Sequence, residues 1–210
     1  MSSENLQCSL CGKDHLKIYD RYAKCLNCDL HVKLIKDIVS PEAEKNRYET
    51  HNNSEDDEGY LGYLSKLLDF IPDFKGPVLD FGCGATKGLE ALFLKKDIKM
   101  DITSYDPYFY PIGLRGKKFK TIYASECFEH FNNPKKTIQK ILSLMSSDST
   151  LAVRTELYNE ELGPIHQWWY FRDPTHVCFF TPKTFSWISN EFNLNIVYLK
   201  SPYAVLKPNS

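Results

Sequence analysis

A short hydrophobic run that ends in a glycine turn most constrains the fold of this chain. The segment Val78-Leu79-Asp80-Phe81 is followed by Gly82-Cys83-Gly84. The run predicts a buried strand that breaks into a turn and then a helix, because glycine lacks a Cβ and lets backbone amides approach a ligand. The next glycine, Gly88, comes one position too late for the Gly-x-Gly-x-x-Gly pattern that grips a dinucleotide pyrophosphate, since Lys87 occupies that place.

An acidic residue stands where a second strand is expected to end. Asp106 follows the apolar run 102–105, at about the twenty-residue interval at which such sheets place a ribose-binding carboxylate. This order of elements, a strand, a glycine turn, a helix, a second strand and an acid, therefore predicts a site that binds a nucleoside but not a pyrophosphate.

Composition limits the class of protein and of partner. The 210 residues are 42% hydrophobic and 25% charged, as in a globular protein with one main domain and a small appendage. A net charge of −1 gives no long-range field for nucleic acid. No apolar run approaches the length of a membrane span, and the first residues lack a secretion signal. We expect a cytoplasmic protein without a membrane partner, whose cysteines are thiols or metal ligands.

Four N-terminal cysteines have the spacing of a metal site. Cys8 and Cys11 form one Cys-x2-Cys knuckle, and Cys25 and Cys28 form a second after thirteen residues. Two such knuckles present four thiolates tetrahedrally to zinc, in a closed and therefore structural site. The segment predicts a small zinc ribbon that depends on its metal for folding. His15 and His31 are expected to be surface residues. Cys83, Cys127 and Cys178 are expected to be lone buried thiols.

The rest of the chain alternates predicted strands and helices. After a helix near residues 60–71, the alternation predicts an α/β fold with a Rossmann-like, mostly parallel sheet and a C-terminal antiparallel hairpin. The predicted strands are 78–81, 102–105, 121–125, 150–155, 195–199 and 203–206, and the predicted helices are 88–95, 134–145 and 184–192. We therefore expect a zinc ribbon in residues 1–40, a linker in 41–58 and a main domain in 59–210.

The main domain resembles class I S-adenosylmethionine-dependent methyltransferases. The resemblance rests on the first motif 78–84, on Asp106 and on Thr121-Ile-Tyr-Ala-Ser-Glu126-Cys-Phe-Glu129-His130. The segment 168–182, WWYFRDPTHVCFFTP, is similar to a bacterial subgroup of these enzymes that carries an N-terminal zinc ribbon.

The resemblance implies S-adenosylmethionine as the cofactor and assigns residues to it. Gly82 and Gly84 would let the backbone approach its methionine portion, Asp80 would lie beside its amino group, and Asp106 would accept from its ribose hydroxyls. Glu126 of the fourth-strand motif is also assigned to the cofactor side. Two departures stand out: Thr86 replaces a glycine common in the family, and the short span 107–120 indicates that the usual third strand is missing or reduced.

Three histidines are candidates for a catalytic base, because a neutral imidazole accepts a proton near pH 7. His130 ends the fourth-strand motif, and His166 and His176 flank the aromatic segment after the strand 150–155. Each has a structural alternative, such as a helix start or a turn.

Three functions remain open at this point. The leading one is a methyltransferase that acts at oxygen or nitrogen of a small or sugar-like acceptor. The second is an RNA methyltransferase in which the ribbon binds RNA. In another form of this hypothesis, Glu126, Glu129 and His130 hold a metal together with a later histidine. These residues resemble the metal-binding motif of small-RNA terminal 2′-O-methyltransferases. The third is a non-catalytic regulatory module that binds the cofactor. The sequence predicts no oligomeric state.

Overall fold

The chain forms two sheets in the computed structural model, which describes residues 7–50, 54 and 56–209. The strands of those residues are β1 (Leu16–Ile18), β2 (Tyr22–Cys25), β3 (His31–Lys33), β4 (Val78–Phe81), β5 (Ile102–Tyr105), β6 (Phe119–Ser125), β7 (Met145–Arg154), β8 (Cys178–Phe179), β9 (Leu194–Lys200) and β10 (Tyr203–Pro208). The α-helices are α1 (Pro41–Glu49), α2 (Glu58–Leu68), α3 (Gly88–Lys95), α4 (Pro134–Ser143) and α5 (Pro182–Glu191). No helix in these ranges is both long and apolar enough to cross a membrane.

The main sheet has the strand order β5-β4-β6-β7-β10-β9. Strand β4 pairs in parallel with β5 and β6, and β6 pairs in parallel with β7. Strand β10 runs antiparallel between β7 and β9. The predicted α/β fold with its C-terminal hairpin is therefore confirmed. Strand β5 is an edge strand among the described residues, so the expected reduction of the third strand is confirmed as well.

Local sequence fixes most of the elements in the main sheet. Strands β4 and β5 and helix α3 have the predicted bounds. Strand β7 begins five residues before the predicted start at residue 150, in a serine-rich stretch of low β-propensity. There Ser149 Oγ accepts a hydrogen bond from Ser146 N at 2.6 Å and donates one to Phe119 O at 2.6 Å. These side-chain hydrogen bonds stabilise the start of β7, where the β-propensity of the residues is low. Hydrophobic periodicity does not reveal such bonds, so the sequence predicts the start of the strand too late.

The N-terminal sheet is completed by a strand from far along the chain. Strands β1, β2, β3 and β8 pair antiparallel in that order, and Lys33 N also donates to Val177 O at 2.9 Å. The cysteine-rich segment therefore pairs directly with residues that follow His176. The division of the chain into a ribbon (1–40), a linker (41–58) and a main domain (59–210) stays a prediction. Helix α1 lies within the predicted linker.

The prediction that His31 lies on the surface is wrong. Its side chain is buried in β3 and packs edge-on against the Tyr158 ring, with the ring centroids 5.2 Å apart. Burial and the nearby Lys24 ammonium lower the pKa of His31 to about 4. His15 is exposed and Cys83, Cys127 and Cys178 are buried, all as predicted.

Two glycines provide a matched test of the packing between α2 and α3. A Cβ on Gly88 would lie 2.5 Å from Tyr60 Cε1 and 2.7 Å from Leu64 Cδ1, whereas a Cβ on Gly62 would meet nothing within 4 Å. Gly88→Ala is expected to destabilise the fold by about 1–3 kcal/mol through overpacking. Gly62→Ala is expected to stabilise it by about 0.5–1 kcal/mol through helix propensity. Urea unfolding measures both, and equal effects of the two variants would contradict this packing.

Candidate active site

A cavity of about 1020 Å³ opens at the carboxyl ends of β4, β5 and β6. Parallel strands end at one edge of the sheet, so the residues that follow them meet there. The cavity brings together six of the residues predicted to bind the cofactor or act in catalysis: Gly82, Gly84, Asp106, Glu126, His130 and His176. Asp80 is buried within β4 and does not line the cavity.

The turn after β4 depends on its two glycines. Gly82 has a φ of +81° and Gly84 a φ of +64°, in the left-handed region that favours glycine. A Cβ on Gly82 would lie 2.6 Å from Cys127 Cβ, so no larger residue fits between the turn and the segment after β6. The space beside Gly84 is open, since a Cβ there would meet nothing within 4 Å. This half of the turn can lie close to a ligand.

Asp106 ties the glycine turn to the loop after β5. Its Oδ1 accepts hydrogen bonds from Tyr108 N at 2.8 Å and Phe109 N at 3.1 Å. Its Oδ2 accepts one from Gly84 N at 3.2 Å. A carboxylate offers about four lone-pair directions, so the oxygen on the side of Gly84 can accept a further donor. The residue therefore has a structural role in addition to the binding role expected from the sequence.

Asp80 carries an unfavourable charge at neutral pH. Burial, together with the neighbouring carboxylates of Asp106 and Glu90, raises the pKa of Asp80 to about 7. A cation brought to this end of β4 would stabilise its ionised form. The residue is thus suited to lie near a positively charged group of a ligand.

Two histidine rings pack edge-on against each other in the wall of the cavity. The centroids of His130 and His176 are 4.9 Å apart. His130 Nδ1 lies 3.0 Å from Thr175 O, and His176 Nδ1 lies 2.8 Å from Tyr170 O. A carbonyl oxygen only accepts, so each Nδ1 carries the hydrogen and each neutral ring keeps its lone pair on Nε2.

Glu126 and Glu129 have different partners although they are three residues apart. Glu126, in a left-handed conformation with a φ of +49°, pairs with the Arg154 guanidinium at 2.5 Å and accepts from Tyr170 Oη at 3.3 Å. Glu129 is fully buried, and its Oε2 accepts from Thr155 Oγ1 at 2.9 Å. The cofactor role expected for Glu126 stays a prediction, and both of its carboxylate oxygens already have protein partners in Arg154 and Tyr170.

Helix α1 contributes cavity residues that sequence reasoning missed. Glu44 is buried, and its two carboxylate oxygens accept from Tyr48 Oη and Tyr108 Oη, each at 2.7 Å. The Tyr48 ring packs edge-on against His130, with the centroids 5.1 Å apart. Arg47 Nη2 joins the same helix to Asp173 Oδ2 at 3.1 Å. The only sequence signal was Glu44 and Tyr48 at i, i+4 spacing in a polar segment read as a linker.

The third candidate histidine is not part of this arrangement. His166 is exposed in the short 3₁₀ helix Ile165–Gln167 and does not line the cavity. The adjacent Trp168 is buried and packs against Tyr170, with the ring centroids 5.1 Å apart. The catalytic role expected for His166 remains a prediction without support from its position.

The four cysteines form a second cluster, away from this cavity. Cys8 Sγ lies 3.6 Å from Cys28 Sγ, and Cys11 Sγ lies 3.5 Å from Cys25 Sγ. All four sulfur atoms lie within 4.8 Å of one another. The two knuckles have the same backbone turn, because Gly12 N donates to Cys8 O at 2.8 Å and Asp29 N donates to Cys25 O at 2.9 Å.

Comparisons with known proteins agree with the fold. OxaC, solved with sinefungin and meleagrin, is 13% identical with a TM-score of 0.50, covering 67% of this chain and 47% of its own. The plantazolicin methyltransferase BpumL, solved with SAH, is 14% identical with a TM-score of 0.53, covering 80% and 90%. Human N-acetylserotonin methyltransferase, solved with SAM, is 12% identical with a TM-score of 0.54, covering 81% and 57%.

This chain thus spans about half the length of OxaC and most of the length of BpumL. At these identities the likeness concerns the fold alone. No curated protein sequence gives a significant match. A family model described as a methyltransferase domain matches residues 19–199, which is most of the chain. The chain therefore belongs to this methyltransferase-domain family.

Proposed function

We propose that this protein is an S-adenosylmethionine-dependent methyltransferase that acts at oxygen or nitrogen of a small acceptor. The observation that carries the proposal is the cavity at the carboxyl edge, which is lined by the glycine turn, by the buried carboxylate of Asp106 and by two histidines, with the buried Asp80 in the adjoining strand β4. The family match and the solved relatives that hold SAM, SAH or sinefungin support it.

The glycine end of the cavity fits the cofactor. The open space beside Gly84 accepts the methionine portion against the backbone, and the Asp106 carboxylate can accept from the ribose hydroxyls. Asp80, whose ionised form lacks a compensating charge, suits the neighbourhood of a cationic amino acid. When bound, S-adenosylmethionine supplies an electrophilic methyl group on a sulfonium.

The histidine end of the cavity is assigned to the acceptor. His130 and His176 present their Nε2 atoms, because each Nδ1 is held by a backbone carbonyl. The Tyr48 ring against His130 and the Glu44–Tyr108 bond close this end on the side of α1. A pair of polar atoms held at fixed positions in a cavity favours catalysis over passive binding, because it orients an acceptor towards the methyl group.

Asp106→Asn tests the cofactor site. The amide keeps one oxygen for the turn but loses the charge, so we expect S-adenosylmethionine binding to weaken by about 10- to 100-fold, the range for a hydrogen bond to a charged group. Isothermal titration calorimetry measures it, with S-adenosylhomocysteine as a second ligand. The control is Asp97→Asn, an exposed site with a φ of +51° that asparagine tolerates. Absence of binding by the unaltered protein would refute the proposed function.

Asp80→Asn tests the buried charge. The folded-state pKa of Asp80 is raised, so the folded protein holds its proton more tightly than the unfolded chain, and stability is lost as the pH rises from the ordinary aspartate value of 3.8 to about 7. Without ligand, we expect Asp80→Asn to unfold with a free energy about 2–4 kcal/mol higher at pH 8 and with little difference at pH 4. The same variant should bind S-adenosylmethionine more weakly at pH 8. Denaturant unfolding at both pH values that found the variant less stable at pH 8 would contradict this account.

The cysteine cluster is proposed to hold one structural zinc ion. In a tetrahedral site with Zn–S bonds of about 2.3 Å the sulfur atoms lie about 3.8 Å apart, close to the 3.5 and 3.6 Å separations between the facing thiols. All four positions would be filled by protein, so the ion has no open position for chemistry. Its role is to fix β2 and β3, against which β8 and the residues after His176 pair.

Cys28→Ser tests the zinc proposal. We expect one zinc per chain in the unaltered protein by elemental analysis, and loss of most zinc with a lower melting temperature in the variant. Cys83→Ser, which removes a thiol outside the cluster, is the control and should keep its zinc. Equal zinc content in both variants would show that these thiols do not hold the ion.

A further inference from the structure

Three polar side chains converge on one point at the acceptor end of the cavity. Glu129, His130 and His176 each place one potential ligand atom so that all three atoms lie within 4.8 Å of one another. The three residues come from the segment after β6 and from the loop before β8. All three line the cavity.

Glu129 has one oxygen that nothing in the described part of the chain satisfies. The side chain is 0% exposed, and its Oε2 is bonded to Thr155 Oγ1, but its Oε1 has no hydrogen-bond partner there. His130 Nε2 is 3.8 Å from that oxygen, beyond hydrogen-bond distance. A buried carboxylate oxygen without a partner costs free energy, so its retention needs an explanation.

The histidines are oriented to offer lone pairs to the same point. His130 Nδ1 donates to Thr175 O and His176 Nδ1 donates to Tyr170 O, which leaves each Nε2 unprotonated in the neutral ring. Metal-binding histidines in proteins are held in this way, with the second ring nitrogen bonded to a backbone carbonyl or carboxylate. The carboxylate is held similarly, by Thr155.

The geometry points to a divalent transition-metal site formed by Glu129 Oε1, His130 Nε2 and His176 Nε2. Two imidazoles and one carboxylate suit zinc, cobalt, manganese or ferrous iron better than calcium or magnesium, which prefer all-oxygen sets. Glu126 is excluded from the set, because its oxygens bond to Arg154 and Tyr170. The set therefore lacks Glu126 but keeps Glu129, His130 and a later histidine, His176, of the combination considered from the sequence.

The site has three protein ligands and therefore retains open positions, as catalytic metal sites do. These positions face the cavity, where the proposed function places the acceptor. An acceptor with a hydroxyl, carboxylate or amine donor would bind the cation there, and the cation would lower the pKa of that group before methylation. This part rests on the proposed function, whereas the existence of the site does not.

Equilibrium dialysis against Co²⁺ tests the site in the full-length chain after metal removal and reloading with one equivalent of zinc. Elemental analysis counts zinc and cobalt separately, and the absence of thiolate charge-transfer absorption shows that cobalt is not on the cysteines. We expect one zinc and one cobalt per chain. Glu129→Gln, which keeps the volume of the buried side chain, and His176→Ala should each weaken cobalt binding at least 10-fold while zinc stays at one per chain. His166→Ala, the exposed histidine outside the cavity, should bind cobalt like the unaltered protein.

The outcomes separate this inference from the proposed function. No second metal in the unaltered chain, or equal cobalt affinity in Glu129→Gln, His176→Ala and His166→Ala, would overturn the metal site. S-adenosylmethionine titrations on the same samples report on the cofactor site alone. Cofactor binding without cobalt binding would leave the proposed function standing, and cobalt binding without cofactor binding would leave only the metal site.

Discussion

The parallel pairing of β4 with β5 and β6 is the constraint on which the site depends. Parallel strands all end at one edge, so the residues after each of them must meet there. The glycine turn, Asp106 and the segment from Glu126 to His130 come together for this reason alone. Asp106 then strengthens the arrangement, since its carboxylate accepts backbone hydrogen bonds from both the turn and its own loop.

A second constraint joins the N-terminal sheet to the loop that carries His176. Strand β8 pairs with β3, and Lys33 donates to Val177 O through its backbone and to Asp173 O through its ammonium group. The loop that carries His176 is thereby fixed from the side of the cysteine cluster. The zinc binding proposed for the cysteine cluster and the chemistry proposed for the cavity are therefore linked through this loop, although no residue of the described segment 7–40 lines the cavity.

Two groups of polar side chains in and beside the cavity differ in their chemistry. Near Asp80 an excess of carboxylates disfavours ionisation, which a cationic cofactor would relieve. Near Glu129 two imidazoles and one unsatisfied carboxylate oxygen provide ligands that a divalent ion would satisfy.

The sequence by itself determined the order of the strands and helices of the main sheet, the glycine turn, the acid after β5 and the two cysteine knuckles, because each depends on local spacing and backbone preference. It also indicated the shortened sheet edge, since the span 107–120 is too short for another strand and helix. Only the tertiary structure decided which polar groups have partners. Burial of His31, the ion pair of Glu126, the docking of Glu44 and Tyr48 over the cavity, and the separation of His166 from His176 all depend on contacts between residues far apart in the chain. Such contacts leave no periodic signal, because they are set by how sheets and loops pack and not by the preferences of neighbouring residues.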